Sequence, residues 1–247
     1  MTATSGTGPT WHVGTVVDSQ PETATARRLV LDVPSWPGNR PGTRLDMRLT
    51  AEDGYRATRS YSLVSSGDTT RLALAVEEFP DGEVSPFLVR ELRSGDRVEL
   101  RGPIGGYFVW PVEGERDSPV QLVAGGSGVV PLYAMAAARA RADGGPFRLL
   151  YSVRGPEFGF FDDELEGLVA SGALTLDRVH TRRAPSGDVR PPGRLTRDEL
   201  AALTLPPDSG AVVYCCGPTP FVETVGTWLL ELGHPADRIR AERFGGV

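Results

Sequence analysis

Several short stretches of this 247-residue sequence combine residue types and spacings that can do chemistry. In VAGGSGVVP (123–131) an apolar run ends, three glycines fall within four positions and a helical pattern begins. Glycines there let the main chain approach a ligand, and a helix start offers free N–H groups and partial positive charge. Gly126, Ser127 and Gly128 are therefore candidates for holding a dinucleotide pyrophosphate. The pattern departs from G-x-G-x-x-G at its last position, where Pro131 stands. A tight strand-to-helix turn without ligand has the same look. In YCCGPTPF (214–221), Cys216, Gly217, Pro218 and Thr219 close another apolar run and open another helix. Ligands of open α/β sheets collect at that edge. The competing reading makes Cys215 and Cys216 small buried hydrophobes.

Two further stretches carry charge where a strand would not need it. YSVRG (151–155) places Ser152 and Arg154 where an NAD site usually has an acidic residue for the ribose diol. A hydroxyl and a cation suit an additional 2′-phosphate; the alternative is a surface arginine. RSYSLVSS (59–66) puts Arg59, Tyr61 and Ser62 into a strand-like run, either as a solvated edge or against a ligand. FPDGEVSPFLVREL (79–92) adds Gly82 and Ser85 just before a helical pattern, a second candidate anion site, and GPIGGYF (102–108) is a third glycine turn.

The elements that must position these residues follow from periodicity. Strands are expected at 11–20, 26–34, 43–50, along RATRSYSLVSS, at 71–79 and at 97–103, with one short helix at 85–92. That series predicts a small antiparallel β-barrel. After 111–118, a polar, turn-rich linker, the rhythm changes. Strands at 119–125, 147–153, 173–181, 211–217 and 238–244 alternate with helices at 129–142, 160–171, 196–203 and 220–233. The alternation predicts a doubly wound α/β parallel sheet. Gly172 is expected to end the second of these helices, and Thr196 with Glu199 to form a capping box on the third. The division reads 1–10 disordered leader, 11–112 barrel domain, 113–247 α/β domain.

Bulk properties narrow the function classes. The net charge of −6 shows no basic excess of the kind nucleic-acid binders carry. Two adjacent cysteines supply neither a disulfide framework nor the four thiolates of a plant-type iron–sulfur cluster, and the three histidines lack metal-ligand spacing. No apolar run approaches the ~20 residues of a membrane span. A soluble, cytoplasmic protein is expected.

Taken in order, RSYS, DGEVSPFL, GDRVELRGPIGGYF, VAGGSGVVP, CGPTP and ERFG resemble the ferredoxin–NADP(+) reductase superfamily, in particular its bacterial oxygenase-reductase type without an iron–sulfur domain. The resemblance covers residues 11 to 246. It implies a flavin-binding barrel and an NAD(P)-binding α/β domain. It implies that Arg59 pairs with flavin phosphates, Tyr61 packs on the isoalloxazine and Ser62 reaches its reactive edge. Gly82, Val84 and Ser85 would cradle the flavin pyrophosphate, with Val76 and Glu77 lining ribityl and ring. Gly126, Ser127 and Gly128 would hold the nicotinamide dinucleotide, Ser152 and Arg154 its 2′-phosphate, and Cys216, Gly217, Pro218 and Thr219 its nicotinamide end. Glu242 would lie by the reaction centre and Phe244 beside the flavin. Ser62, Cys216 and Glu242 form the implied catalytic set. The implied cofactors are FAD, with FMN as the alternative, and NADPH, with NADH as the alternative. The implied activity is electron transfer from NADPH through FAD to a separate acceptor protein such as a ferredoxin or an oxygenase. A free-flavin or ferric-chelate reductase is the second enzyme reading, and a regulatory module without turnover a third.

Overall fold

The computed structural model describes residues 10–51, 53–111, 117–142 and 147–245. Residues 1–9 of the expected leader and 112–116 of the expected linker lie outside them, as does the expected domain boundary.

Alternating apolar residues build the first sheet from β1 (Trp11–Thr23), β2 (Ala26–Asp32), β3 (Arg44–Thr50), β4 (Arg56–Ser62), β5 (Arg71–Glu77) and β6 (Arg97–Ile104). Helix α1 (Ser85–Arg90) packs beside β5. The strands run antiparallel in the order β4-β3-β6-β1-β2-β5. One face of each strand feeds a core of Leu29, Leu31, Leu45, Met47, Leu72, Leu74 and Leu100. The two end strands meet just beyond β4. Leu63 bridges Leu74, Val64 N–H donates to Ala73 O at 2.8 Å, and Ala73 N–H donates to Ser65 Oγ at 3.0 Å. Along Arg56–Ser62, β4 has no ladder with β5 among the described residues. The barrel is thus closed at Leu63 and open along the polar half of β4.

The second sheet comprises β7 (Val120–Gly125), β8 (Phe147–Val153), β9 (Thr175–His180), β10 (Val212–Pro218) and β11 (Ile239–Phe244). All pairings are parallel, in the order β11-β10-β7-β8-β9. Helices α2 (Val129–Arg139), α3 (Asp162–Ala170), α4 (Arg197–Leu203) and α5 (Thr219–Glu231) connect them. Every residue of β7 is buried, as a central strand covered on both faces requires. The strand order reverses between β7 and β10, the place where such sheets open a crevice.

The two units share a core. Ala26, Ala75, Phe108 and Trp110 join one cluster with Leu122, Ala124, Met135 and Tyr214. Tyr214 Oη donates to Val109 O at 2.8 Å, and its ring meets Phe108 edge-on at 5.4 Å.

Several elements differ from expectation at their ends, and β4 stops at Ser62, four residues before the end of RATRSYSLVSS. β1 continues through Pro21, which pairs opposite Arg27 in the β1–β2 hairpin. α2 ends at Arg139 and gives way to tight turns, Arg141 N–H to Ala138 O and Ala142 N–H to Arg139 O. α3 begins at Asp162 because Phe160 is buried and Phe161 takes a left-handed conformation, φ 58°. That strain is held by packing: Phe161 stacks on Tyr133 at 4.2 Å and lies under the Arg28 guanidinium at 4.9 Å. Gly172 follows α3 with φ 74°, as expected of a helix stop.

The capping box on α4 is present, with Thr196 Oγ1 accepting from Glu199 N–H and Glu199 accepting from Thr196 N–H. Thr196→Ala should cost about 1 kcal/mol of stability. A lowered denaturant midpoint with an unaltered slope would show it, and an unchanged midpoint would refute it.

Candidate active site

Four helix starts are built differently from α4. α1, α2 and α5 have no side-chain cap at Val84, Gly128 and Pro218. The α3 start receives its acceptor from the other unit, since Phe161 N–H donates to Glu22 Oε1 at 2.7 Å. Uncapped first turns leave amide donors to solvent or to an anion. The three uncapped starts are the ones that follow DGEVSP, GGSG and CGPTP.

The glycine-rich turn and the end of β10 are fitted to one another. A Cβ on Gly128 would stand 2.2 Å from Cys216 O, and one on Gly217 would stand 3.1 Å from Gly125 Cα. Gly126 is different: its φ is +54° and a Cβ there would meet nothing within 4 Å. The turn therefore packs inward through Gly128 and leaves an open main-chain face at Gly126. That face, with the uncapped helical turn Gly126–Gly128 that leads into α2, fits the diphosphate of a nicotinamide dinucleotide. Beside it, Gly125 pairs in register with Ser152, which is buried, and the chain then reaches Arg154.

On the barrel side, the open stretch of β4 presents Arg59 and Tyr61. Arg59 is half exposed; it pairs with Glu83 and donates to Thr58 O at 2.8 Å. Such an exposed pair is worth about 0–1 kcal/mol, so a phosphate can replace it. Tyr61 packs on the barrel core, and burial pushes its phenol up. A fork of donors, an aromatic face and a hydroxyl along one unpaired strand edge fit a planar cofactor that carries phosphate. Val76 and Val84 place their side chains in the barrel core, so what they offer a ligand is main chain. Ser85 is also buried, and its Oγ accepts from Phe79 N–H at 3.0 Å, closing the turn around Gly82.

The two halves meet at Ser62. Ser62 pairs with Arg44 of β3, and Arg44 Nη1 lies 3.8 Å from Glu242 Oε1 on β11. Glu242 is in register with Cys216, and Phe244 with Pro218. Arg44 thus links the β3–β4 pair at Ser62 to the β10–β11 pair of Cys216 and Glu242, 180 residues apart in sequence between Ser62 and Glu242. Burial pushes the Glu242 carboxyl up, opposed by Arg44. Burial also raises the Cys216 thiol well above its ordinary value, which suits a packed thiol and no thiolate chemistry. Thr219 Oγ1 donates to Gly245 O at 3.3 Å, tying the α5 start to the segment after β11.

Sequence reasoning missed three residues. Arg44 carries no local signal, because its place depends on the β3–β4 register. Arg182 and Arg183 also escaped notice; their main-chain N–H groups donate to Arg154 O at 2.9 and 3.0 Å, which ties the segment after β9 to the end of β8. Arg154 itself pairs with Glu77 across the junction at 2.6 Å and stacks over Phe158 at 4.4 Å.

Comparison with known proteins identifies both units. Residues 15–109 match the oxidoreductase FAD-binding domain family and residues 122–227 the oxidoreductase NAD-binding domain family. Flavohemoprotein A of Dictyostelium discoideum is 30% identical over 83% of this chain and 52% of its own length. The ferredoxin reductase component of 3-ketosteroid-9-alpha-monooxygenase from Rhodococcus rhodochrous is 29% identical over 92% of this chain and 63% of its own. The chain therefore spans between half and two thirds of these curated relatives. The FAD/NAD-binding domain of nitric oxide dioxygenase from Vibrio cholerae superimposes with a TM-score of 0.82 at 28% identity, covering 95% of this chain and 99% of that domain. No helix among the described residues is long and apolar enough to cross a membrane. An open-edged barrel, a switch-point crevice with bare helix starts and two matching domain families together make this chain an FAD- and nicotinamide-nucleotide-binding oxidoreductase of the ferredoxin reductase-like family.

Proposed function

We propose that this chain catalyses electron transfer from NADPH, through FAD, to a separate electron-carrier protein of ferredoxin or oxygenase type. The observation that carries the proposal is the junction itself: the open edge of β4 ends at Ser62, where Arg44 reaches Glu242 beside Cys216. A flavin along β4 and a nicotinamide over the end of β10 would meet there. The relative named as a ferredoxin reductase component supports a protein acceptor.

FAD supplies the exchange between two-electron and one-electron chemistry; the chain binds, orients and shields. In this reading Arg59 holds flavin phosphate, with the main chain at Gly82, Val84 and Ser85 around the pyrophosphate. Tyr61 covers one ring face, and Ser62 hydrogen-bonds at the reactive edge. Gly126, Ser127 and Gly128 hold the nucleotide diphosphate. Cys216 to Thr219 and Phe244 bound the nicotinamide pocket, which holds the ring in place without covalent help. Glu242 keeps a proton at its carboxyl to higher pH than a free glutamate does, because it is buried. The preference for NADPH rests on Arg154, whose carbonyl anchors the main chain at Arg182 and Arg183, and on the lack of an acidic residue in YSVRG at the end of β8.

An anaerobic spectrum before and after NADPH and NADH tests the reading: flavin absorbance should bleach, faster with NADPH. Reduced protein should then reoxidise with ferredoxin in preference to free flavin or ferric chelates; the reverse order would replace the protein acceptor with a small molecule. Arg154→Ala should raise the KM for NADPH about tenfold and leave that for NADH within about twofold. Equal effects on both nucleotides would remove the 2′-phosphate from the argument.

A further inference from the structure

Arg154 and Glu77 belong to different sheets and different chemistry. Arg154 follows β8 at the nucleotide end of the parallel sheet; Glu77 ends β5 of the barrel, in register with Ala26. Their side chains nevertheless meet, Arg154 Nη2 donating to Glu77 Oε1 at 2.6 Å. Glu77 is the more enclosed partner, with its side chain 15% exposed against 42% for Arg154. The Phe158 ring holds the guanidinium from another side, and the end of β5 abuts the Gly126–Gly128 turn. Of the neighbouring arginines, Arg183 pairs with Glu157, and Arg182 is exposed.

We infer that Glu77 is a specificity-determining residue acting from across the domain junction: it occupies Arg154 in competition with a 2′-phosphate and so limits how strongly the site prefers the phosphorylated nucleotide. The inference rests on the proposed role of Arg154 as the 2′-phosphate contact. A guanidinium offers a fixed number of donors, and those turned to a carboxylate are withheld from a phosphate until the pair opens. The carboxylate also repels the incoming dianion at short range. A nucleotide without the 2′-phosphate meets neither obstacle, since it asks nothing of Arg154. The barrel would thereby set the selectivity of a pocket that the other domain builds.

Glu77→Gln keeps the size and one acceptor of the side chain and removes its charge. The probes are adenosine 2′,5′-bisphosphate and adenosine 5′-monophosphate, titrated calorimetrically into the flavin-loaded protein. Glu77→Gln should bind the bisphosphate about tenfold more tightly than the parent protein, with the monophosphate within about twofold. Adding Arg154→Ala to Glu77→Gln should abolish the gain, because the effect passes through the guanidinium. If the parent protein prefers the bisphosphate but Glu77→Gln leaves that preference unchanged or weakens it, Glu77 does not compete. A gain that survives in the double variant overturns it too. If the parent protein and both variants bind the two probes alike, the role of Arg154 in NADPH recognition fails and the competition with it.

Discussion

Arg59→Ala is expected to bind FAD on the order of a hundredfold more weakly than the parent protein and to purify with much less yellow colour. The argument begins with what Arg59 does without ligand. It stands on the open stretch of β4 and pairs with Glu83 and the carbonyl of Thr58. Both side chains of the pair are half exposed, so the pair adds little to the fold. Removing Arg59 therefore leaves the barrel core of Leu29, Leu31, Leu45 and Leu72 untouched. A guanidinium facing a flavin phosphate is another matter. Each charge-assisted hydrogen bond in such a contact contributes about 1.5–3 kcal/mol, and two of them lost together reach the hundredfold range. The measurement is flavin content after gel filtration, followed by a titration of the stripped protein with FAD. Full occupancy at parental affinity would move the phosphate away from β4. The variant should also keep its thermal midpoint when both proteins are compared without flavin, which separates a binding role from a folding one.

How far such a site could be read from sequence depends on the distance over which its residues cooperate. The open strand edge was legible, because Arg, Tyr and Ser alternating through RSYS contradict a buried strand and demand something to face. The glycine turn at 125–128 was legible for a similar local reason: three glycines between an apolar run and a helix have a steric meaning. Among the described residues, the eleven strands and five α-helices fell near their expected places, since alternation, glycine turns and the capping box at Thr196 are local signals. What failed locally failed for tertiary reasons. The α3 start moved to Asp162 because Phe161 is held against Tyr133 and Arg28 of distant segments. Arg44 was overlooked because nothing within β3 says that it faces Ser62 and Glu242. The Arg154–Glu77 pair spans 77 residues and two sheets, and only the docking of the barrel on the parallel sheet creates it. The site is thus written locally in its pieces and globally in its charges.

The two glycines of the nucleotide turn should respond to alanine in opposite ways. Gly128→Ala should destabilise the protein by about 3 kcal/mol and abolish nicotinamide-nucleotide binding with it. Its methyl group would lie 2.2 Å from Cys216 O and 2.7 Å from Gly217 Cα, which are main-chain atoms of a strand buried on both faces. Those atoms cannot retreat without breaking the β7–β10 ladder, where Cys216 pairs with Ala124. Gly126→Ala meets no neighbour within 4 Å, so its only conformational penalty is the left-handed φ of +54°, about 1 kcal/mol. That variant should fold and hold FAD as the parent does. Its methyl group, however, would stand on the open face of the turn, where the nucleotide diphosphate is proposed to lie, and NADP+ binding should fall at least tenfold. Thermal midpoints and NADP+ titrations of the two variants, each loaded with FAD, give the comparison. Gly128→Ala melting at the parental midpoint would contradict the packing of the turn on β10. Gly126→Ala binding NADP+ at parental affinity would place the diphosphate elsewhere. The contrast matters because both glycines satisfy the same sequence pattern, and only the space around each tells structural necessity from room kept for a ligand.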